Sequence, residues 1–249
     1  MTKNSILNSR HIKIIACISM LIDHIGYFIF PNLILLRIVG RIAFPLFAFL
    51  IAFGATKTRN LYKYFFRLLV FAIVVQLIIF IVSNVTNLHI FENFNVFFTL
   101  AGAVGCIILN NSVQKYLYKI LISIQYSGKT DGKYIAIFGM YILAFGIILF
   151  LSTILKFDYG IAGIILIYLF YLCLVKSLYF AKQTAVFVLL LFNILMLLQG
   201  AFAIQILSIV SIIFIIYFSD KKLKISKLEQ YAFYIFYPLH LVIINSFLI

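Results

Sequence analysis

Ionisable residues inside apolar stretches are the residues of this sequence most able to do chemistry. Asp23 and His24 lie in the first apolar run, Arg37 and Arg41 in the second, and His240 in the last. A charged side chain at the centre of a bilayer costs roughly 2.5–3.5 kcal/mol on insertion scales, so such residues mark candidate functional sites. Histidine offers proton transfer, arginine offers anion binding, and the acid offers an ion pair.

The spacing of these residues places them at similar depth. Asp23 lies ten residues after Lys13, Arg41 nine residues after the polar connection before it, and His240 eleven residues after the last acid of the chain. At 1.5 Å per helical residue these separations are about 15, 14 and 17 Å, close to half of a hydrocarbon core roughly 30 Å thick. We therefore expect three helices to present ionisable groups near the middle of a membrane.

The two arginines are predicted to share one helix face. Arg37 and Arg41 are four residues apart, and the connection through Pro31 and Asn32 is short, which makes the first two helices antiparallel neighbours. Asp23 can then face Arg41. An ion pair that only fixes helix packing explains this arrangement about as well as a functional site does. The excess of arginines and histidines over acids favours a polar cavity or an anionic ligand.

A proline interrupts the last apolar run. Pro238 removes the backbone hydrogen bond to Tyr234 and is expected to bend the helix just before His240. A bent helix can present Tyr234, Tyr237 and His240 to a cavity, where the tyrosines and Arg37 would contact a substrate. A simple proline kink with a hydrogen-bonded histidine is the alternative.

Composition defines the elements that must position these residues. The chain has 249 residues, of which 65% are hydrophobic and only 10% charged, and its mean hydropathy is +1.19. These values exclude an ordinary soluble domain, whose residues are about a quarter charged. We predict an all-α, polytopic transmembrane helical bundle that forms a single transmembrane domain over residues 1–249. The first apolar run is too long for a signal peptide, so we expect it to be retained.

About nine membrane helices are predicted at roughly 20 apolar residues per span. Basic residues cluster in every second connection. In the connections that alternate with these clusters, Lys156 is the only basic residue. Because cytoplasmic loops carry the excess of Lys and Arg, the N-terminus is predicted to be cytoplasmic and the C-terminus external, in a multi-pass protein of the plasma membrane. The predicted helices lie near residues 12–30, 33–55, 65–83, 94–110, 134–152, 159–175, 183–199, 201–218 and 230–248.

Several other patterns favour simple explanations. The net charge of +14 is explained by membrane topology, so we predict lipid contact and no nucleic-acid partner. The three cysteines lack CxxC spacing, which predicts neither disulfides nor a metal site. Asp158 is expected to cap a helix. The small-residue series from Thr99 to Gly105 is expected to allow close helix packing. His89 and Glu92 lie in an outer loop, where they could contact a substrate.

Four segments together resemble the TraX family of membrane proteins. They are residues 13–26, 37–53, 158–163 and 234–241, and the resemblance spans nearly the whole chain. The founding member of that family is linked to acetylation of the N-terminal amine of conjugative pilin. The resemblance therefore implies an acetyltransferase that acts on a peptide amine or another envelope acceptor, with acetyl-CoA as the donor.

A wider resemblance is to membrane acyltransferases that carry an Arg or Lys, ten residues and then a catalytic His in the first helix. Lys13 and His24 have this spacing. The resemblance implies that His24 is the general base and that Asp23 pairs with Arg41 or the acceptor amine. The oxyanion would be stabilised by Arg37, Arg41 or His240, and the CoA phosphates would be held by Lys13, Lys57, Arg59 and Arg67.

Two other function classes remain open. A transporter or channel would use the two arginines and two histidines to bind an anion or relay protons. The sequence shows no paired halves with matching broken segments, which many transporters contain. A structural partner of a secretion or conjugation system is the third possibility, and it predicts that the polar residues tolerate neutral substitution.

Overall fold

The fold is that of a computed structural model, which describes residues 6–86, 93–127, 132–221 and 227–246. Helices make up nearly all of this part of the chain, and its only extended pairings are two isolated bridges. An apolar chain in lipid must satisfy its backbone groups within each segment, and a helix does this. The predicted all-α bundle is confirmed. The loop residues His89 and Glu92, and the lysines at positions 129, 222 and 224, lie outside the described residues.

The described helices follow one another with short connections. They are α1 (Ser9–Phe28), α2 (Ile34–Gly40), α3 (Ala43–Lys57), α4 (Leu61–Thr86), α5 (Val96–Ser127), α6 (Gly132–Ile154), α7 (Gly160–Lys176), α8 (Leu178–Leu198), a 3₁₀ helix (Ala203–Ser211), α9 (Ile212–Ile216) and α10 (Lys227–Ser246).

Six segments of the described chain are long and apolar enough to cross a membrane. They are α1, α2 together with α3, α4, α5, α6 and α8. Three shorter apolar segments are α7, the 3₁₀ helix with α9, and the apolar part of α10. Nine segments result, which is the predicted number, and the chain is a multi-pass membrane protein.

Three predicted helices differ from those observed. The second breaks at Arg41 and Ile42, and the eighth begins as a 3₁₀ helix rather than an α-helix. The fourth runs on to Ser127 instead of ending at residue 110. Hydropathy falls at Asn110 and Asn111, but these amides accept hydrogen bonds from the hydroxyls of two tyrosines of α7, each at 3.0 Å. Because the polar groups are satisfied there, the helix continues through them.

Small residues allow α1 and α2 to approach closely. A Cβ atom added at Gly26 would lie 2.6 Å from the Cβ of Leu36, and one added at Gly40 would overlap the Asp23 side chain. The hydroxyl of Ser19 donates to the carbonyl of Val39 at 2.5 Å. The Asp23 carboxylate therefore lies directly against the backbone of α2.

The centre of the bundle is formed by α3, which is apolar on all sides. Phe49 is fully buried and meets the rings of Phe170 and Phe218 edge to face, at centroid distances of 5.6 and 5.1 Å. Nine of the fifteen residues of α3 are buried, which places this helix in the interior. Since α3 follows Arg41 directly, its packing fixes the position of the arginines.

Candidate functional site

The carboxylate of Asp23 lies between the two arginines. Arg41 donates from one terminal nitrogen to both carboxylate oxygens, at 2.6 and 2.7 Å. Arg37 approaches the carboxylate at 3.1 Å and donates to the Asp23 carbonyl at the same distance. The predicted pairing of Asp23 with Arg41 is confirmed. These charge-assisted contacts are of the strong kind, and they join α1 to α2.

Each side-chain nitrogen of Arg41 donates a hydrogen bond. Its Nε donates to the Arg37 carbonyl at 3.3 Å, and its second terminal nitrogen donates to the amide oxygen of Gln205 at 3.2 Å. Gln205 is 2% exposed and lies on the 3₁₀ helix. Sequence reasoning missed this residue, although a lone glutamine in an apolar run is a usable signal. Arg41 is therefore held as a structural group in this arrangement.

Asp158 adds a second acid to the surroundings of Arg41. Burial raises the pKa of this carboxyl to about 6, while the nearby Arg41 guanidinium acts in the opposite direction. The group is thus mainly ionised at neutral pH. Two acids then accompany the two arginines. The excess of positive over negative charge around Arg41 is therefore smaller than the sequence predicted.

The expectation that Asp158 caps α7 is wrong. The N-cap residue is Tyr159, which has a φ of 61° and makes no capping hydrogen bond with its side chain. The amide oxygen of Gln199 instead accepts from the backbone N–H of Ala162 at 3.2 Å. The Asp158 carbonyl accepts from the hydroxyl of Thr99, so that threonine forms a hydrogen bond in addition to its packing role.

The two histidines that sequence reasoning placed at similar depth are in contact. His24 Nδ1 lies 2.6 Å from His240 Nε2, and the rings are nearly parallel, with a 9° interplanar angle and centroids 4.9 Å apart. His240 Nδ1 lies 2.6 Å from the carbonyl oxygen of Phe236. Only α1 and α10 contribute to this pair.

The hydrogen-bond partners of the two rings indicate which ring nitrogens carry a hydrogen. A carbonyl only accepts, so His240 Nδ1 carries a hydrogen and donates it to Phe236. A neutral His240 then has a lone pair on Nε2, which accepts from His24 Nδ1. It follows that the lone pair of a neutral His24 is on Nε2. Nε2 is the nitrogen that can take a proton from a substrate.

A cavity of about 250 Å³ is lined by Lys13 and Tyr237 among other residues. Arg67 and Tyr234 also line it, so two residues predicted to bind CoA and two predicted to bind substrate share one cavity. Tyr237 is 6% exposed and its ring meets both histidines edge-on, at centroid distances of 6.3 Å to His24 and 5.7 Å to His240. The phenol ring separates the cavity from the histidine pair.

The other predicted site residues lie away from the cavity lining. Lys57 forms an exposed ion pair with Asp220 at the end of α3, and Arg59 is exposed two residues later. The cavity lining also does not include Asp23, His24, Arg37, Arg41 or His240. The single layer expected from depth counting is thus divided into an arginine–aspartate cluster and a histidine pair beside the cavity.

Asp23 also lies nearer one end of its helix than expected. It follows Ser9, the first residue of α1, by fourteen residues and precedes Phe28 by five. At 1.5 Å per residue it is about 21 Å from the start of α1. The cluster therefore lies toward the predicted outer end of the bundle, where α1 and α2 are joined.

Comparisons with known proteins agree with the membrane fold. A family model described as TraX protein matches residues 8–247. An uncharacterised protein of Rickettsia prowazekii (strain Madrid E) is 53% identical over 38 residues, which are 15% of each chain. A protein of Dichelobacter nodosus described as probable fimbrial assembly protein FimC, serogroup H1, is 32% identical over 122 residues, 45% of this chain and 50% of that one. The chain thus spans half or less of these curated relatives, and no solved structure matches.

Proposed function

Because the chain belongs to the TraX family, we propose that it is a membrane-embedded acyltransferase that moves an acetyl group from acetyl-CoA to an amine. The acceptor is the N-terminal amine of a peptide or another component of the envelope. The family and the partial likeness to a fimbrial assembly protein support a membrane protein with a role related to pili or conjugation. The acetyl transfer itself is the more specific part of the proposal, and the cavity and the histidine pair support it.

The cavity between the basic residues and the histidine pair is the observation that carries the proposal. Lys13 and Arg67 line the cavity, and Tyr237 separates it from His24. Arg67 Nε is buried and has no hydrogen-bond acceptor among the described residues. A buried donor of this kind favours a ligand that brings an oxygen atom.

The size of the cavity favours the thioester arm of acetyl-CoA over the whole molecule. Pockets for complete small ligands usually measure about 300–1,000 Å³, and this one is about 250 Å³. The pantetheine arm enters the cavity, while the nucleotide and its phosphates stay at the mouth. Lys57 and Arg59 are exposed beside Thr58, which lines the cavity, so they can meet those phosphates.

The histidine pair supplies the proton transfer. The acceptor amine attacks the thioester carbonyl carbon, and His24 Nε2 takes the proton that the amine loses. The C–S bond then breaks, and the resulting imidazolium gives its proton to the leaving thiolate, so that the products are an amide and CoA. His240 holds the His24 ring through Nδ1, and Tyr237 must turn aside for the thioester to reach Nε2.

Acetyl transfer to a model peptide tests the proposal directly. The purified protein in nanodiscs is supplied with radiolabelled acetyl-CoA, and His24→Gln is expected to lower the rate by roughly 10²–10⁴-fold, the usual contribution of a general base. His11→Gln is the matched control, because His11 is an exposed histidine on the same helix. It is expected to keep the full rate.

Three outcomes contradict the proposal. Full activity in His24→Gln removes this residue from the chemistry. Absence of acetyl-CoA binding to the folded protein, together with anion flux in liposomes that depends on Lys13 and Arg67, instead indicates a transporter. Neither activity, together with neutral substitutions that preserve pilus assembly, indicates a structural partner.

A further inference from the structure

A second basic surface is lined by residues that take no part in the cavity of the proposed reaction. It is an open groove of about 550 Å³ between the ends of α5 and α6. We name it the lysine groove, and its lining residues are Lys115, Tyr118, Lys119, Ile122, Ser123 and Tyr134. The proposed acetyl transfer makes no use of this groove.

The length of α5 places the two lysines at the edge of a bilayer. The helix has 32 residues and is about 48 Å long, whereas a hydrocarbon core is roughly 30 Å thick. Lys115 and Lys119 follow Val96 by 19 and 23 residues, which is about 29 and 35 Å along the helix. Their ammonium groups therefore lie where lipid phosphates lie, on the side predicted to be cytoplasmic.

Aromatic residues surround these lysines at the same level. The Lys119 ammonium lies 5.9 Å from the ring centre of Tyr116 and 5.5 Å from that of Tyr134. Tyr118 is 65% exposed. Tyrosines of this kind are enriched at the membrane–water interface, so the groove has the composition of a headgroup site.

The neighbouring surface of α6 suits acyl chains. Only 6% of the apolar stretch of α6 that can span a membrane is buried within the described protein. Its exposed side chains near and beyond the groove include Ile135, Ile142 and Leu143. The acyl chains of a phospholipid whose headgroup meets the lysines can lie along this surface, whereas a soluble anion makes no use of it.

Charge argues against a second copy of the chain as the occupant. Residues 115–133 contain four lysines and one acid, a net charge of +3. A symmetric dimer would bring two such surfaces together, and like charges would oppose the contact. Anionic lipids of the cytoplasmic leaflet have the complementary charge.

We propose that the lysine groove binds the phosphate headgroup of an anionic phospholipid, whose acyl chains lie along α6. Basic pockets between helices on the cytoplasmic side are suited to such headgroups. The site holds one leaflet lipid at a defined position next to the α5–α6 pair. It is independent of the acetyl-transfer proposal.

A single tryptophan can report on the occupant, because the chain contains none. The variant Tyr118→Trp places an indole in the groove, and it is reconstituted in vesicles that contain brominated phosphatidylglycerol or brominated phosphatidylcholine at the same mole fraction. We expect stronger quenching by the anionic lipid. An excess of soluble glycerol phosphate is expected to leave this preference unchanged.

Charge substitutions test whether the groove causes the preference. In the Tyr118→Trp background, Lys115→Gln with Lys119→Gln is expected to lower the relative affinity for the anionic lipid roughly thirtyfold. Replacing both lysines by Arg is expected to retain it. The matched control is Lys176→Gln with Lys182→Gln, which removes two charges predicted to be on the same side, and it is expected to keep the preference.

Four outcomes overturn the proposal. Equal quenching by the two lipids shows that the groove does not select an anionic headgroup. Equal loss in the matched control shows diffuse surface charge, and displacement by glycerol phosphate shows a site for soluble anions. Weak quenching by both lipids, together with a dimer in size-exclusion chromatography, shows that a second copy covers the surface.

Discussion

Asp23 and His24 are adjacent on α1 but enter different surroundings. The Asp23 carboxylate is held by two arginines, and Gln205 completes the hydrogen bonds of Arg41. His24 is hydrogen-bonded to His240 and contacts the ring of Tyr237, which lines the cavity. Consecutive helical residues point about 100° apart, so a single helix separates a structural ion pair from a group suited to proton transfer.

This difference shows that an ionisable side chain in a membrane-spanning helix is not necessarily a reactive group, even though inserting it into the bilayer costs free energy. Both residues break the apolar pattern of α1, and both are candidates on that ground. In the arginine–aspartate cluster every side-chain nitrogen of Arg41 has an acceptor within the protein, which favours a role in holding α1, α2 and the 3₁₀ helix together. The histidine pair has a defined tautomer and a neighbouring cavity, which favours chemistry.

The largest expected effect is on the ion pair. Asp23→Ala leaves two arginines without their shared carboxylate and is expected to destabilise the fold by about 3–5 kcal/mol, as for a broken buried pair. Unfolding in increasing SDS measures this. The control Asp220→Ala breaks the exposed pair with Lys57 and is expected to cost at most about 1 kcal/mol. Equal stability of the two variants would contradict the assigned role of Asp23.

The close approach of α1 and α2 gives the next effect. Gly40→Ala puts a methyl group where the Asp23 side chain lies, and it is expected to destabilise the fold by about 1–3 kcal/mol through overpacking. The same unfolding assay applies. Gly146→Ala is the matched control, because a Cβ there meets no atom within 4 Å in the described structure. An equally large loss in Gly146→Ala would show that the close approach of α1 to Gly40 is not the cause of the effect.

A smaller effect is expected at His240, on rate rather than stability. His240→Phe keeps a ring but removes the acceptor for His24 Nδ1, and we expect roughly tenfold slower acetyl transfer from a wrongly oriented base. His240→Gln retains an acceptor oxygen and should recover part of the rate. The pH–rate profile should shift in His240→Phe. An unchanged profile and rate would remove His240 from the positioning role.

Gln205 gives the smallest expected effect. Gln205→Leu removes one acceptor from Arg41 and is expected to cost about 1 kcal/mol, the lower end for a buried donor left unsatisfied. Ser211→Ala on the same 3₁₀ helix is the control, because its buried hydroxyl has no hydrogen-bond partner in the described structure. Thermal unfolding in detergent compares the two. Equal melting temperatures would show that Gln205 adds nothing to the cluster.

Much of the fold and one contact of the site could be predicted from the sequence. Runs of apolar residues are long enough to be counted, which gave the helices, and the spacing of Arg37 and Arg41 gave the pairing with Asp23. Both inferences use only local geometry, 1.5 Å of rise and neighbours four residues apart.

The remaining features depend on contacts between distant segments. Nothing local to Gln205 shows that it meets Arg41, 164 residues away in sequence, and His24 and His240 are separated by 216 residues. Counting residues from the helix ends placed the histidines at a similar depth in the bilayer. It contains no information on how each helix is rotated about its axis, which decides whether two side chains meet. The extension of α5 to Ser127 was missed because hydropathy detects lipid contact rather than helix.

The most direct test measures the unfolding free energy and the acetyl-transfer rate of two single variants, His24→Gln and Asp23→Asn, in the same preparation. We predict that His24→Gln lowers the rate by roughly 10²-fold or more while the unfolding free energy changes by less than about 1 kcal/mol. Asp23→Asn is predicted to lose stability first, and to lose activity only as the folded fraction falls. A stable, fully active His24→Gln protein would contradict this division between the two neighbouring residues.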